Sequence, residues 1–343
     1  MLVPKEVLQA YAHLGEIIDI VPITMGLINK TFLVKTNNNS YILQQVSNIF
    51  SEQVNDDFYH VASYLESKNV LAPQILLTNN NKLFVNFENS IFRAQTYIKG
   101  ACFNKITSEN MAFNAGMVLG KFHFALKDFN YEYKNRRRAA SDYAFHKNNL
   151  ELALLKHTNH DYYRQSFELA QKMIIQIDIL LPLINLTKRH VHGDPKISNV
   201  LFDEADNGLC LVDFDTLSDF GWSAELGDAL RSWSNPKLED ELDAYCDLEL
   251  VSASLNGYAS FMKGQLTQCE QQQILLNTKG ITLCLAMRYL SDVLNENYFS
   301  YDTLKFSRAA QHNWLRANAM YELFCDMQKK SADISQLINA VLH

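Results

Sequence analysis

The chain has 343 residues, 48% of them hydrophobic and 20% charged, enough for one large domain or two moderate ones with real cores. A formal net charge of −7 argues against non-specific nucleic-acid binding and against a polybasic membrane anchor. No apolar run reaches the ~20 residues that span a bilayer, and no signal-peptide pattern opens the chain. The cysteines (Cys102, Cys210, Cys246, Cys269, Cys284 and Cys325) form no Cys-x-x-Cys pair, so the expectation is a cytoplasmic protein with reduced thiols.

In chain order, residues 3–19 carry Val7, Leu8, Tyr11 and Leu14 at helical spacing. Strands are predicted over 20–24, 31–35 and 41–46, the last two joined by Asn37-Asn38-Asn39-Ser40. A helix over 56–68 places Phe58, Val61, Ala62 and Leu65 on one face. Further strands follow over 74–78, 83–87 and 92–97. Beyond Gly100 the pattern turns helical: 110–127, 144–155, 162–181, most of 238–255, 271–295 and 301–327. One short strand-rich island, 200–214, interrupts it. A β-rich lobe over 1–98 and a larger helical lobe over 99–343 follow, an α+β architecture.

The stretch from His190 to Asp213 concentrates the chemistry. Asp194 stands between Gly193, which permits an unusual backbone angle, and Pro195, which fixes the next one, so its carboxylate sits on a rigid turn. A general base needs such rigidity. Asn199 follows five residues later, and Asp213 ends an apolar run; an amide oxygen and a carboxylate suit Mg²⁺. Lys196 is placed to meet a transferring phosphoryl group. Each residue alone reads as an ordinary turn or strand end; the joint spacing points to phosphoryl transfer.

His192-Gly-Asp194-x-x-x-x-Asn199 followed by Asp213 resembles the catalytic loop of the aminoglycoside phosphotransferase superfamily. Gly26-x-x-Asn29-x-Thr31-Phe32, Tyr41-Ile-Leu-Gln44-Gln45, Gly227-Asp228-Ala-Leu-Arg231-Ser-Trp233, and Arg288-Tyr-Leu-Ser-Asp292 with Tyr298-Phe299 and Arg316 beyond, resemble its N-acetylhexosamine 1-kinase branch. The resemblance implies a two-lobed protein-kinase-like fold with ATP in the cleft, Asp194 as base, and Asn199 and Asp213 as magnesium ligands. It implies a small-molecule acceptor, a sugar hydroxyl in the first place. Choline, a homoserine-like compound or an aminoglycoside is the alternative, and a non-catalytic nucleotide-binding protein a further one.

The same resemblance assigns nucleotide contacts to Gly26, Asn29, Thr31, Gln44, Gln95, Tyr97 and Ile98. The segment from Gly26 to Thr31 fits a phosphate-covering turn or an ordinary hairpin turn. Gln44 stands where the family's phosphate-holding lysine falls, which leaves Lys30, Lys35 or Lys196 to supply charge. Asp228 is expected to brace the catalytic loop. Arg231 and Trp233 either face the acceptor, with the indole stacked on a sugar ring, or serve helix packing. His192 and His123 read as structural, and Asp215 as a solvated or turn-capping group with a second metal contact as its alternative. The basic run Arg136-Arg137-Arg138 reads as a solvated loop.

Overall fold

Residues 3–23, 28–135 and 142–343 are described by a computed structural model. The chain divides into two units, and each is described by itself. Unit 1 comprises Met1–Gly100, Asp128–Arg137 and Val212–Ser218; unit 2 comprises Ala101–Lys127, Arg138–Leu211 and Asp219–His343.

Unit 1 contains α1 (Lys5–Gln9), β1 (Ile17–Ile23), β2 (Lys30–Thr36), β3 (Ser40–Val46), α2 (Val54–Ser67), β4 (Ile75–Leu76), β5 (Val85–Phe87) and β6 (Ser90–Thr96). The strands form one antiparallel sheet in the order β1-β2-β3-β6-β4, with β5 also on β6. Side chains alternate across a strand. Phe32 and Val34 of β2, Tyr41 and Leu43 of β3, and Phe92 and Ala94 of β6 therefore meet on one face, where Val7 and Tyr11 cover them. The helix expected over 3–19 stops at α1 and a 3₁₀ turn, Ala12–Leu14. Gly15 ends it: its φ of +119° lies in glycine's territory, and a Cβ there would come within 2.6 Å of Asn37 Oδ1.

Unit 2 begins with α3 (Glu109–Leu126), α4 (Tyr143–Lys156) and α5 (Tyr163–Leu180). Short strands follow: β7 (Arg189–Val191), β8 (Val200–Phe202) and β9 (Gly208–Leu211). Then come α6 (Trp222–Trp233), α7 (Leu248–Met262), α8 (Gln268–Asn295), α9 (Ala309–Lys329) and α10 (Ser331–Leu342). The 28-residue α8 is the axis of this unit: α4, α5, α6, α9 and α10 all pack on it. It starts on a capping box, in which Thr267 Oγ1 accepts from Glu270 N and the Glu270 carboxylate accepts from Thr267 N. Helices α3 and α7 approach unusually closely. A Cβ on Gly116 would lie 2.0 Å from Ser254 O, and one on Gly257 1.9 Å from Phe113 O.

The α+β organisation expected from the sequence is present: an antiparallel sheet first, then a larger helical part. Besides α1, three helices differ. The one expected over 238–255 begins only at Leu248, because the Asp247 carboxylate accepts from the amides of Glu249 and Leu250 and so caps it there. The one expected over 301–327 begins at Ala309, after a turn in which Asp302 accepts from Leu304 N. The last, α10, was not anticipated. Among the described residues no helix is long and apolar enough to cross a membrane.

Candidate active site

In unit 2 the catalytic-loop candidates come together. Gly193 has a φ of +87°, the left-handed conformation that its place before Asp194 requires. Asp194 Oδ2 accepts from Lys196 Nζ at 2.7 Å and from Asn199 Nδ2 at 3.1 Å; Asn199 Nδ2 also donates to the Asp194 carbonyl at 2.8 Å. The Asp194 side chain is 26% exposed. Burial pushes its pKa up, but Lys196, with smaller help from His192 and Arg231, more than offsets this and holds it below the usual carboxylate value. Both Asn199 amide hydrogen bonds go to Asp194, so its oxygen is turned away from that carboxylate.

The loop is held from beneath by α6. Trp222 Nε1 donates to His190 O at 3.1 Å. The Glu225 carboxylate accepts from His192 N at 3.0 Å and Gly193 N at 2.7 Å, and Ser232 Oγ accepts from Ile197 N at 3.0 Å. Glu225 is fixed in turn by His123 Nε2 at 2.8 Å, and His123 Nδ1 meets Tyr258 OH at 2.8 Å, all three buried. The brace expected at Asp228 is therefore made by Glu225, one helical turn earlier on the same face. The sequence signal for it was a glutamate at the start of a helix otherwise committed to the core.

Asp228 instead pairs with Arg231 at 2.8 Å, and Arg231 reaches Glu239 at 3.0 Å. Glu239 also accepts from Tyr289 OH at 2.6 Å. Burial pushes the Asp228 carboxyl up, and Arg231 only partly offsets it. At Glu239 burial also pushes up, yet Arg231 and the tyrosine prevail and its pKa falls. The network touches the loop electrostatically through Arg231. Trp233 is corrected: it is 0% exposed, so its ring offers no face for a sugar to stack on.

In unit 1 a second cluster surrounds Gln44. Gln44 on β3 stands opposite Thr31 on β2 and Arg93 on β6. Gln44 Nε2 donates to Thr31 Oγ1 at 3.2 Å, and its Oε1 accepts from Arg93 Nη2 at 2.8 Å and Nε at 3.1 Å. Arg93 Nη1 lies 2.6 Å from Asp215 Oδ1, with both side chains buried. Asn29 Nδ2 donates to Asp215 Oδ2 at 2.6 Å, and Asn29 Oδ1 accepts from Ser47 N. The cation beside Gln44 is thus Arg93. Lys30 and Lys35 are exposed, and Lys35 pairs with Asp19. Asp215 is neither solvated nor a turn cap: both oxygens are engaged in the interior. Asp213 belongs to this unit and has a φ of +69°, in the left-handed region that aspartate adopts more readily than most residues.

Of the other nucleotide candidates, Gln95 is buried on β6 between Ile42 and Ile75, while Tyr97 is exposed and Ile98 half-buried. Gly26 and Arg136-Arg137-Arg138 lie outside the described residues. Arg93, Glu225, Trp222, Ser232 and Glu239 are among the site residues that the sequence did not single out, while His123, read there as structural, has that role beneath Glu225.

The five-stranded run of sheet, the helical unit built on α8 and the braced Gly-Asp-Pro loop define a kinase-like fold. The Phosphotransferase enzyme family matches residues 19–261, and the chain belongs to that family. Solved structures agree in fold. An amicoumacin kinase in complex with AMP-PNP, Ca²⁺ and Ami superposes with a TM-score of 0.65 at 14% identity, covering 94% of each chain. An aminoglycoside phosphotransferase from Alicyclobacillus acidocaldarius gives 0.64 at 12% identity over 97% of each chain. An ethanolamine kinase from Plasmodium vivax gives 0.60 at 13% identity, over 88% of this chain and 82% of that one.

Proposed function

We propose that the protein is an ATP- and divalent-metal-dependent kinase that moves the γ-phosphoryl group to a hydroxyl of a small molecule, the anomeric hydroxyl of an N-acetylhexosamine or related sugar. The observation that carries this reading is the Asp194 carboxylate, fixed on its turn by Asn199 and Lys196 and by the α6 brace beneath. Asp194 orients the acceptor hydroxyl and takes its proton late, as a weak base suffices when bond breaking leads. Lys196 lies beside that oxygen to meet phosphoryl charge. Unit 1 carries the nucleotide side, with Asn29, Thr31, Gln44, Gln95, Tyr97 and Ile98.

Asn199 and Asp213 would hold Mg²⁺. Among the described residues no group of three or more His, Cys, Asp or Glu could form an all-protein cage. Two hard oxygen donors, with phosphates and water completing the shell, fit magnesium's usual habit. When bound, the metal offsets charge on the phosphate oxygens.

The acceptor class rests on the resemblance of the flanking segments and on charge. In unit 2 the Arg316 guanidinium lies over the Tyr289 ring at 5.5 Å, and that of Arg288 over Phe299 at 5.5 Å and Tyr298 at 5.8 Å. These rings are already covered, Tyr289 being buried, and the two guanidinium groups oppose an ammonium by like charge, which favours a neutral acceptor. The ethanolamine kinase and the net charge of −7 favour a second reading, an amino-alcohol acceptor.

A coupled ADP-release screen over sugars, amino alcohols and aminoglycosides separates them. Turnover with an N-acetylhexosamine, abolished by EDTA, is expected. Turnover with cationic acceptors alone replaces the sugar by the second reading, and nucleotide binding without turnover on any acceptor overturns the kinase.

A further inference from the structure

Arg93 is wholly buried in β6, and its guanidinium meets three groups of unit 1: Gln44 on β3, Asn55 Oδ1 on α2 at 3.5 Å, and Asp215 at 2.6 Å. The same guanidinium lies 5.0 Å above the ring of Phe58. Phe58 packs against Phe214 at 5.1 Å between centroids. The two residues that follow Asp213 are thus both anchored at one point of the sheet-helix framework, Phe214 by ring contact and Asp215 by charge. Asp213 itself has a left-handed φ of +69°, so its carboxylate leaves the strand end in a set direction. Gln44 carries no charge, so the fixed positive charge of this framework stands one strand further along the sheet.

We propose that Arg93 is a positioning residue: by binding Asp215 it holds the 212–216 segment in the conformation that presents the Asp213 carboxylate to the metal of the bound nucleotide. The inference rests on the kinase reading for the metal, but not for the hold on the segment. Arg93 is wholly buried, and its Nε, Nη1 and Nη2 all meet protein groups, Gln44, Asn55 and Asp215. Lysine in its place keeps the charge but has no planar fork to engage Asp215 and Gln44 together.

The test uses the full chain in two variants. Arg93→Met/Asp215→Asn removes both charges together and leaves no buried ion unpaired; Arg93→Lys keeps the charge and serves if the double variant does not fold. Two readouts are taken: hydrogen exchange of amides 212–217 without nucleotide, and the affinity for AMP-PNP with and without Mg²⁺ by calorimetry.

The double variant is expected to bind metal-free AMP-PNP as the wild type does. Its Mg²⁺-dependent gain in affinity should fall about 10–100-fold, the usual cost of losing a partner behind a metal ligand. Its 212–217 amides should exchange faster, with amides elsewhere in the sheet unchanged. Arg93→Lys should fall between the two. Wild-type exchange and wild-type Mg²⁺ gain in either folded variant overturn the proposal, as does a loss of metal-free and metal-bound affinity in equal proportion, the mark of a merely structural role. If the wild type itself shows no Mg²⁺ gain, the kinase reading fails, while the exchange readout still decides whether Arg93 holds the segment.

Discussion

At Asp194 the protein balances two demands on one carboxylate. It must be fixed, and the turn, Asn199 and Lys196 fix it; it must also accept a proton, and Lys196 makes it a weaker acceptor. Asp194→Asn is expected to lower kcat by ~10²–10⁴ and leave nucleotide affinity intact, as measured by steady-state kinetics and calorimetry. The depressed pKa sets a sign. The carboxylate stays ionised above its folded value, so activity falls only when the pH drops through a point below the ordinary ~3.9 of aspartate. Lys196→Met should move that acid limb of kcat/KM upward, read from a pH–rate profile. These residues were legible in sequence because the turn, the amide and the lysine lie within six positions of one another. Arg93 and Glu225 were not, since each acts on residues that only the fold brings near. An arginine inside the apolar run Ile91-Phe92-Arg93-Ala94 was the available hint of a buried charge.

Helices carry the same logic at larger spacing. Residues 222, 225 and 232 of α6 meet successive points of the catalytic loop because they fall on one face of a 3.6-residue repeat. The α3–α7 contact depends on two glycines, so Gly116→Ala should destabilise by more than about 3 kcal/mol, seen as a lower urea midpoint, because the obstacle is backbone that cannot rotate aside. The link from α8 to α9 makes a pH prediction. Arg308, helped by Ala310 N and His160, holds Glu296 down to about 2. A depressed carboxylate contributes stability above its unfolded value of ~4.3, and this is lost as pH falls from there to about 2. Glu296→Gln should flatten the acid dependence of the urea midpoint across that window. Helix existence followed from periodicity, whereas the starts of α7 and α9 depended on Asp247 and on the Asp302 turn, which periodicity does not register.

For the whole molecule, the notable division is that segment 212–218 belongs with the sheet although its neighbours in sequence belong with the helices. Asp213 is thereby carried by the unit proposed to bind nucleotide, and Asp194 by the unit proposed to bind acceptor. Mg²⁺-ATP at 100 times its Kd should stabilise the protein by about 2.7 kcal/mol, and Asp213→Ala should remove the metal-dependent part of the resulting rise in Tm. Differential scanning with and without EDTA measures both. The two-part α+β plan was legible from the change in hydrophobic period near residue 100; the excursion of 212–218 was not, because nothing local distinguishes a strand end that stays with its own unit from one that crosses to another.

The contact between Lys196 and Asp194 occupies one carboxylate oxygen, Oδ2, which takes the Asn199 amide as well. In the proposed reaction the same ammonium has two anions to serve, this carboxylate at rest and the phosphoryl group in flight, so its loss should be felt twice. Lys196→Met is expected to lower kcat as well as shift its acid limb, whereas Lys196→Arg, which keeps the charge, should hold the limb near its wild-type position.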